Sequence, residues 1–447
     1  MLKSLQNALK VKDIRNRLLF TLLMIVVVRL GSQLPVPGTD PAVIKEFLSA
    51  AKSDNNALSL VDAFTGGSFE KFSLMTLSIT PYITSSIIMQ LMTLAIPALE
   101  ELKDDGETGR KKIAEITRYV TVGLALLEGT AYSINFRNMG ALGENDQWYW
   151  VIAAVLALTA GSAFLMWIGE QITEHGVGNG ISIVLLVNIL SRFPEDVKTL
   201  YEMFIRNKKV AMIVLVSLII LAVIIAVVVL VVWLNGATRR IPVQYAKRVQ
   251  GRKLMGGNSS SIPLKVNTAG VIPVIFASSL MSIPMLITNL VKPNVETKFG
   301  KALMHVVNAL YSGNWFRFSE GKGLYTLGFV LYVVLIIVFA YFYTSITFNP
   351  YEVASNLKKQ GGSIPGVRPG KPTSEYLNRI LNYIVFIGAV GLIIVVTIPT
   401  LIEGLAGLSS LSCGGTSMII VVGVIVETIT QIESKMLVRN YKGFLSE

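Results

Sequence analysis

Cysteine and histidine are almost missing from these 447 residues. Cys413 stands alone, which excludes an internal disulfide and makes it a small apolar filler, and two histidines leave little from which to build a metal site. Charge is scarce as well: 15% of residues are charged against 52% hydrophobic, and the mean hydropathy is +0.59. A soluble multidomain protein of this length does not carry that balance. The sequence also has no HExxH, no GxSxG, no Walker loop and no paired Asp on facing apolar segments. No catalytic residues, metal site or cofactor are therefore expected, and ATP-driven work would have to come from outside the chain.

What the chain has instead is apolar runs of about 20 residues, the length that crosses roughly 30 Å of hydrocarbon. Ten spans are predicted, near 18–34, 74–96, 119–134, 148–172, 181–193, 210–234, 271–291, 324–348, 380–401 and 416–432. The first resembles a signal peptide, because Lys10, Lys12, Arg15 and Arg17 precede it, but no small-x-small cleavage site follows. It reads as an uncleaved span behind a cytosolic amphipathic lead-in, residues 1–17, with Leu2, Leu5 and Leu9 on one face. The chain is basic, with 40 Lys and Arg against 28 Asp and Glu. An inside N-terminus places 25 of those cations in inner segments and 14 in outer loops, which favours both termini in the cytosol. Five spans before the outer loop 194–209 and five after it give two halves, 18–193 and 210–432, with a tail at 433–447. An odd number per half makes the second an inverted counterpart of the first.

The most informative stretch is 57–97. A short amphipathic turn runs into Gly66-Gly67, and an apolar segment containing Pro81 follows. Irregular backbone at membrane depth survives only where it is buried or lines a water-filled cavity, so the expectation is a conduit. Two inner loops read as structured. In 235–266, Ile241, Val243 and Tyr245 alternate with polar neighbours, a strand or hairpin pattern. In 349–379, Asn349 caps a short helix with Pro350 at its first position; Lys358-Lys359 and Gly361-Gly362 end it, and IPGVRPGKP makes turns that hold Arg368 outward.

GSQLPVPG, AFTGGSFEKFSLMTLSITPYITSSIIMQLM, GEQITEHGVGNGIS, RRIPVQYAKR, PLKVNTAGVIPVIFASS, FNPYEVASNLKKQGGSIPGVRPG and GGTSMIIVVGVIVE occur in that order along the chain. Together they resemble the SecY family, the pore-forming subunits of the bacterial protein-conducting channel. The resemblance implies an all-α polytopic membrane fold, with ten transmembrane helices in two inverted pseudo-symmetric halves around an hourglass pore. It implies a hinge near the loop between spans five and six, and a seam between spans two/three and seven/eight that opens to lipid. Such a channel passes unfolded secretory polypeptides across the cytoplasmic membrane and releases transmembrane segments sideways into it.

Residue by residue, the resemblance puts a pore ring at Ile79, Ile83, Ile181, Leu185, Ile275 and Ile420. On spacing alone, such isoleucines more often pack or face lipid. It puts a plug at 57–72, including Leu60, Ala63, Phe64, Gly66, Gly67 and Ser68; without it, that stretch is an ordinary interfacial helix. Gln90 and Asn267 fall at the lateral gate, and Glu128 in the facing span is either part of the gate or interhelical glue. Arg239, Arg240, Lys247, Arg248, Arg252, Lys358, Lys359 and Arg368 fall on a surface for the SecA motor and the ribosome, whose RNA is met through phosphate charge; the plainer reading is a topology signal. SecE and SecG subunits, precursors with signal sequences and membrane lipid complete the implied partners. The other class considered is a secondary transporter with inverted repeats. It needs a midplane site with paired charges, for which only Arg29 and Glu128, on different spans, are candidates.

Overall fold

The computed structural model describes residues 10–40, 43–44, 65–138, 140–142, 148–201, 210–245, 248–250, 253–255, 259–291, 298–310, 314–316, 323–406 and 415–443. Each expected span falls on a helix. These are α1 (Lys12–Gly31), α2 (Thr80–Ala95), α4 (Glu107–Asn138), α5 (Trp148–His175), α6 (Gly180–Leu200), α7 (Val210–Gly236), α8 (Ile272–Val291), α10 (Leu327–Thr347), α12 (Lys371–Ala406) and α13 (Gly415–Gly443). Among the described residues, four helices are long and apolar enough to cross a membrane on their own. α2 with the short α3 (Pro97–Asp104), bent by 104° at Ile96, makes a fifth candidate. α7 is an almost unbroken run of Val, Ile and Leu, the most apolar of the helices.

Several boundaries differ from those read in the sequence. α4 starts at Glu107, well before the apolar run, because Arg110, Lys111 and Lys112 continue a helix as readily as leucine does. α1 takes in the end of the lead-in, α6 runs through Pro194 into the expected 194–209 loop, and α13 takes in most of the expected tail. α2 errs the other way. Residues 66–79 form turns rather than the start of a helix, and Phe72 (φ 42°) and Ser78 (φ 52°) adopt left-handed backbone angles. Helical geometry begins only at Thr80, where Pro81 in the first turn loses no hydrogen bond.

The helices form two groups of five: α1, α2, α4, α5 and α6, then α7, α8, α10, α12 and α13. The groups meet along two edges, where α8 packs on α2 and α4, and where α13 packs on α6. The two terminal helices are fastened to one point. Arg17 on α1 donates to the carbonyls of Glu174 (3.2 Å) and Gly176 (3.4 Å), and Lys435 on α13 donates to Gly176 (3.4 Å). Those carbonyls end α5, where unpaired C=O groups favour cations.

Beyond α7 the chain leaves the bundle as β1 (Thr238–Tyr245). Two further strands, β2 (Arg248–Gln250) and β3 (Lys253–Met255), pair with each other, and β4 (Ser259–Lys265) returns antiparallel to β1. The helix α11 (Pro350–Lys359) begins at Asn349, whose Oδ1 accepts from the backbone of Tyr351 and Glu352, and ends before Gly361 (φ 72°). The next two residues form β5 (Gly362–Ser363), which pairs with the free edge of β1. The two inner loops therefore build one sheet, ordered β4-β1-β5. Ile241, Val243 and Leu264 on its strands pack with Leu357, Ile364, Leu377 and Ile380.

Candidate functional site

One buried cluster runs through the bundle, and the residues of the expected ring reach it from four of the helices that build it. Ile79 caps α2 and Ile83 follows one turn later. Leu185 comes from α6, Ile275 from α8 and Ile420 from α13, and Ile181 of α6 packs against the cluster while half-buried. All six residues of the expected ring belong to this cluster or pack against it, from two helices of each group, and the cluster also takes in Val28, Leu165, Tyr332 and Leu392. Ile79 and Ile181 converge beside Gly169: a Cβ there would lie 3.6 Å from Ile79 Cδ1 and 3.5 Å from Ile181 Cγ1. α6 starts in close contact with α5, because a Cβ on Gly180 would fall 1.9 Å from the carbonyl oxygen of Gly169.

A polar layer adjoins this cluster. Asn188, one turn beyond Leu185, donates to Ser78 Oγ at 3.1 Å, and Ser162 Oγ lies 3.4 Å from the Ser78 carbonyl. Ser191 Oγ (3.1 Å) and Arg29 Nη1 (3.3 Å) both donate to the carbonyl of Gly66. Gly66 has φ 67°, and a Cβ there would sit 2.9 Å from the Asn188 backbone, so only glycine fits. Sequence reasoning had left the intramembrane Arg29 without a partner. Its guanidinium belongs to the segment that the resemblance assigns to a plug.

Of that segment, Leu60, Ala63 and Phe64 lie outside the described residues. Gly66, Gly67 and Ser68 belong to a turn whose far end is anchored: Phe72 is fully buried, its ring centroid 4.4 Å from that of Phe136, and Phe69 packs edge-on against Tyr132 at 5.4 Å. The backbone of Val36 donates to the Phe72 carbonyl and that of Leu74 to the Leu34 carbonyl.

Along the edge where α8 meets α2 and α4, Gln90 Nε2 bonds Ser86 of its own helix at 3.2 Å, and its Oε1 is buried without a partner. Glu128 on α4 is half-buried. The bond that joins α2 to α4 is one that the sequence reading did not single out, Ser85 to Thr121 at 2.5 Å with both side chains buried. Ser85-Ser86 in an otherwise apolar run was the available signal. Asn267 donates to Asn235 Oδ1 at 2.7 Å, so its amide is engaged at the end of α7, within the second group of helices.

Of the basic residues, Arg239 and Arg240 are exposed on β1, and Lys358 and Lys359 are exposed in the last turn of α11. Arg368 is exposed on the following turn, where Thr373 Oγ1 donates to its carbonyl at 2.8 Å and buried Ile364 anchors the base. Arg248 falls on β2, while Lys247 and Arg252 lie outside the described residues.

These features define a polytopic helical membrane protein with the fold of protein-conducting channels. A solved structure described as that of a protein conducting channel aligns with TM-score 0.56 over 95% of this chain and 93% of its own, at 17% identity. An idle yeast Ssh1 complex bound to the 80S ribosome aligns with TM-score 0.59 over 97% and 90%, at 15% identity. The chain belongs to the SecY family, whose model matches residues 73–429. The protein translocase subunits SecY of Streptomyces galbus and Bacillus subtilis are 41% and 40% identical to it, each over 458 residues and the full length of both chains.

Proposed function

We propose that this chain is the central subunit of a protein translocation channel in the bacterial cytoplasmic membrane, with both termini in the cytosol. It passes unfolded secretory polypeptides across the membrane and releases transmembrane segments into it. The observation that supports the reading is that Ile79, Ile83, Ile181, Leu185, Ile275 and Ile420, from four helices, belong to or pack against one buried aliphatic cluster. Branched aliphatic side chains in a narrow neck exclude water and hence ions. They make no hydrogen bonds, so they part around a moving chain without leaving polar groups unpaired. Residues 57–72 close the outer side as a plug, which the bonds to Gly66 hold by its base.

The edge between α8 and the pair α2/α4 serves as the lateral gate. Gln90, Glu128 and Asn267 supply the polarity that an apolar signal segment must outcompete. The sheet and α11 present Arg239, Arg240, Lys358, Lys359 and Arg368, together with Lys247, Arg248 and Arg252, to a SecA motor or to ribosomal RNA. SecE and SecG complete the channel. Against the transporter reading, Arg29, one of its two candidate charges, donates to the backbone carbonyl of Gly66. The test is to stall a secretory precursor in the assembled complex with a photoreactive residue replacing Ile83. An adduct with the translocating chain is expected, and its absence, with adducts elsewhere in the bundle, overturns the placement of the neck.

A further inference from the structure

Far from the neck, a slot of about 540 Å³ opens between the end of α10, the first turn of α11 and α12. One wall is apolar, built by Phe342, Phe348, Leu381 and Val385. Interleaved with it, the same helices carry Tyr341 and Ser345 from α10, and Asn378 and Asn382 from α12. Tyr341 donates its hydroxyl to the Asn382 carbonyl at 3.3 Å, and Ser345 bonds back to the Phe342 carbonyl at 2.7 Å. The side-chain amides of Asn378 and Asn382 are different. Four residues apart, they share one exposed face of α12, and neither has a partner among the described residues. Exposed amides on a membrane helix are costly unless something receives them.

The position says what does. The slot lies where α10 gives way to α11, with the sheet on one side and the bundle on the other. From it, exposed Val334 and Val338 on α10 and exposed Phe386, Ile387 and Val390 on α12 continue into the bundle as a lipid-facing surface. No charged side chain lines the slot, and exposed Glu352, Glu375 and Arg379 flank it in sequence. A ligand matching this lining has hydrogen-bond-accepting oxygens at one end and a hydrocarbon chain at the other.

We propose that the slot binds one membrane phospholipid from the leaflet on the sheet side. The amides of Asn378 and Asn382 and the phenol of Tyr351 donate to its phosphate and ester oxygens. One acyl chain follows the apolar surface of α10 and α12. The volume suits a glycerophosphate with the first methylenes of its chains, within the usual range for small-molecule sites.

The test uses the whole complex, reconstituted in vesicles of phosphatidylethanolamine and phosphatidylglycerol, extracted in mild detergent and weighed by native mass spectrometry. One phospholipid per chain is expected to survive extraction. Asn378→Leu with Asn382→Leu, and separately the slot-filling Ser345→Trp, should each lower that retained fraction at least fivefold. Leu218→Ile, on the exposed apolar surface of α7 and away from the slot, should leave it unchanged. Equal retention in all variants overturns the site, as does displacement of the lipid by inorganic phosphate alone. A benzophenone side chain at Ser345 that captures a polypeptide instead of a phospholipid in intact membranes also overturns it.

Discussion

The proposed neck draws six aliphatic residues from four helices, side chains that make no hydrogen bonds, into one buried cluster. At the sheet-bearing end, β1 is bonded along both edges and every functional side chain named is a cation. Apolar contacts are non-directional, which suits the proposed neck to part, close around a chain of any sequence and seal again. Hydrogen-bonded strands do the reverse and hold charges at fixed positions, as the docking surface proposed for a motor or a ribosome requires. The same polypeptide uses one chemistry where its structure has to yield and the other where it has to stay put. A third chemistry is the layer around Gly66, in which a few directional bonds hold the segment proposed as a plug.

The sharpest way to break this contrast is at Arg368. Arg368→Glu should bring partner-driven translocation to background in a vesicle import assay, while pore conductance and membrane insertion stay at wild-type levels. Arg368→Lys should restore only part of the activity, since an ammonium cannot reproduce the two-pronged contact of a guanidinium. Full activity of the Glu variant, with normal partner binding, would remove this residue from the docking surface and leave Arg239, Arg240 and the hairpin to carry it.

The layer around Gly66 predicts a smaller effect. Arg29→Gln removes a charge-assisted bond to the Gly66 carbonyl, of the kind that contributes about 1.5–3 kcal/mol. Resting ion leak through the otherwise unaltered channel should rise by about tenfold or more. Ser191→Ala removes a neutral bond, about 0.5–1.5 kcal/mol, and should raise leak less. Identical leak in both variants would mean that these bonds are incidental to closure.

The smallest effect belongs to the lateral edge. Interhelical polar contacts in membranes contribute about 0.6–2 kcal/mol, so Gln90→Leu should shift the signal-sequence hydrophobicity needed for export rather than abolish export. Asn267→Leu should shift it less, because Asn267 is occupied by Asn235. A graded series of signal sequences measures both, and equal shifts would return Asn267 to the gate.

Much of this arrangement was legible in the sequence, and the exceptions share a cause. The apolar runs marked every spanning helix. Local chemistry marked the Asn349 cap, the start at Pro350 and the alternation of Ile241 and Val243, because each depends on residues a few positions apart. Helix ends were misjudged where polar residues prolong a helix past the hydrocarbon, as at Glu107 and Leu200. The pairing of β5 with β1 joins residues more than a hundred positions apart through backbone groups, which leave no side-chain signature. Arg29 with Gly66 and Arg17 with Gly176 were invisible for the same reason, since the acceptor is a carbonyl.

The central claim is that the neck seals because it is dry. Single-channel recording of the assembled complex in planar bilayers, without precursor or motor, tests it most directly. Ile83→Asn combined with Ile275→Asn should wet the constriction and raise resting conductance by at least tenfold, while Ile83→Leu combined with Ile275→Leu should stay near wild type. A closed channel in the Asn pair, or the same leak in the Leu pair, would contradict the account.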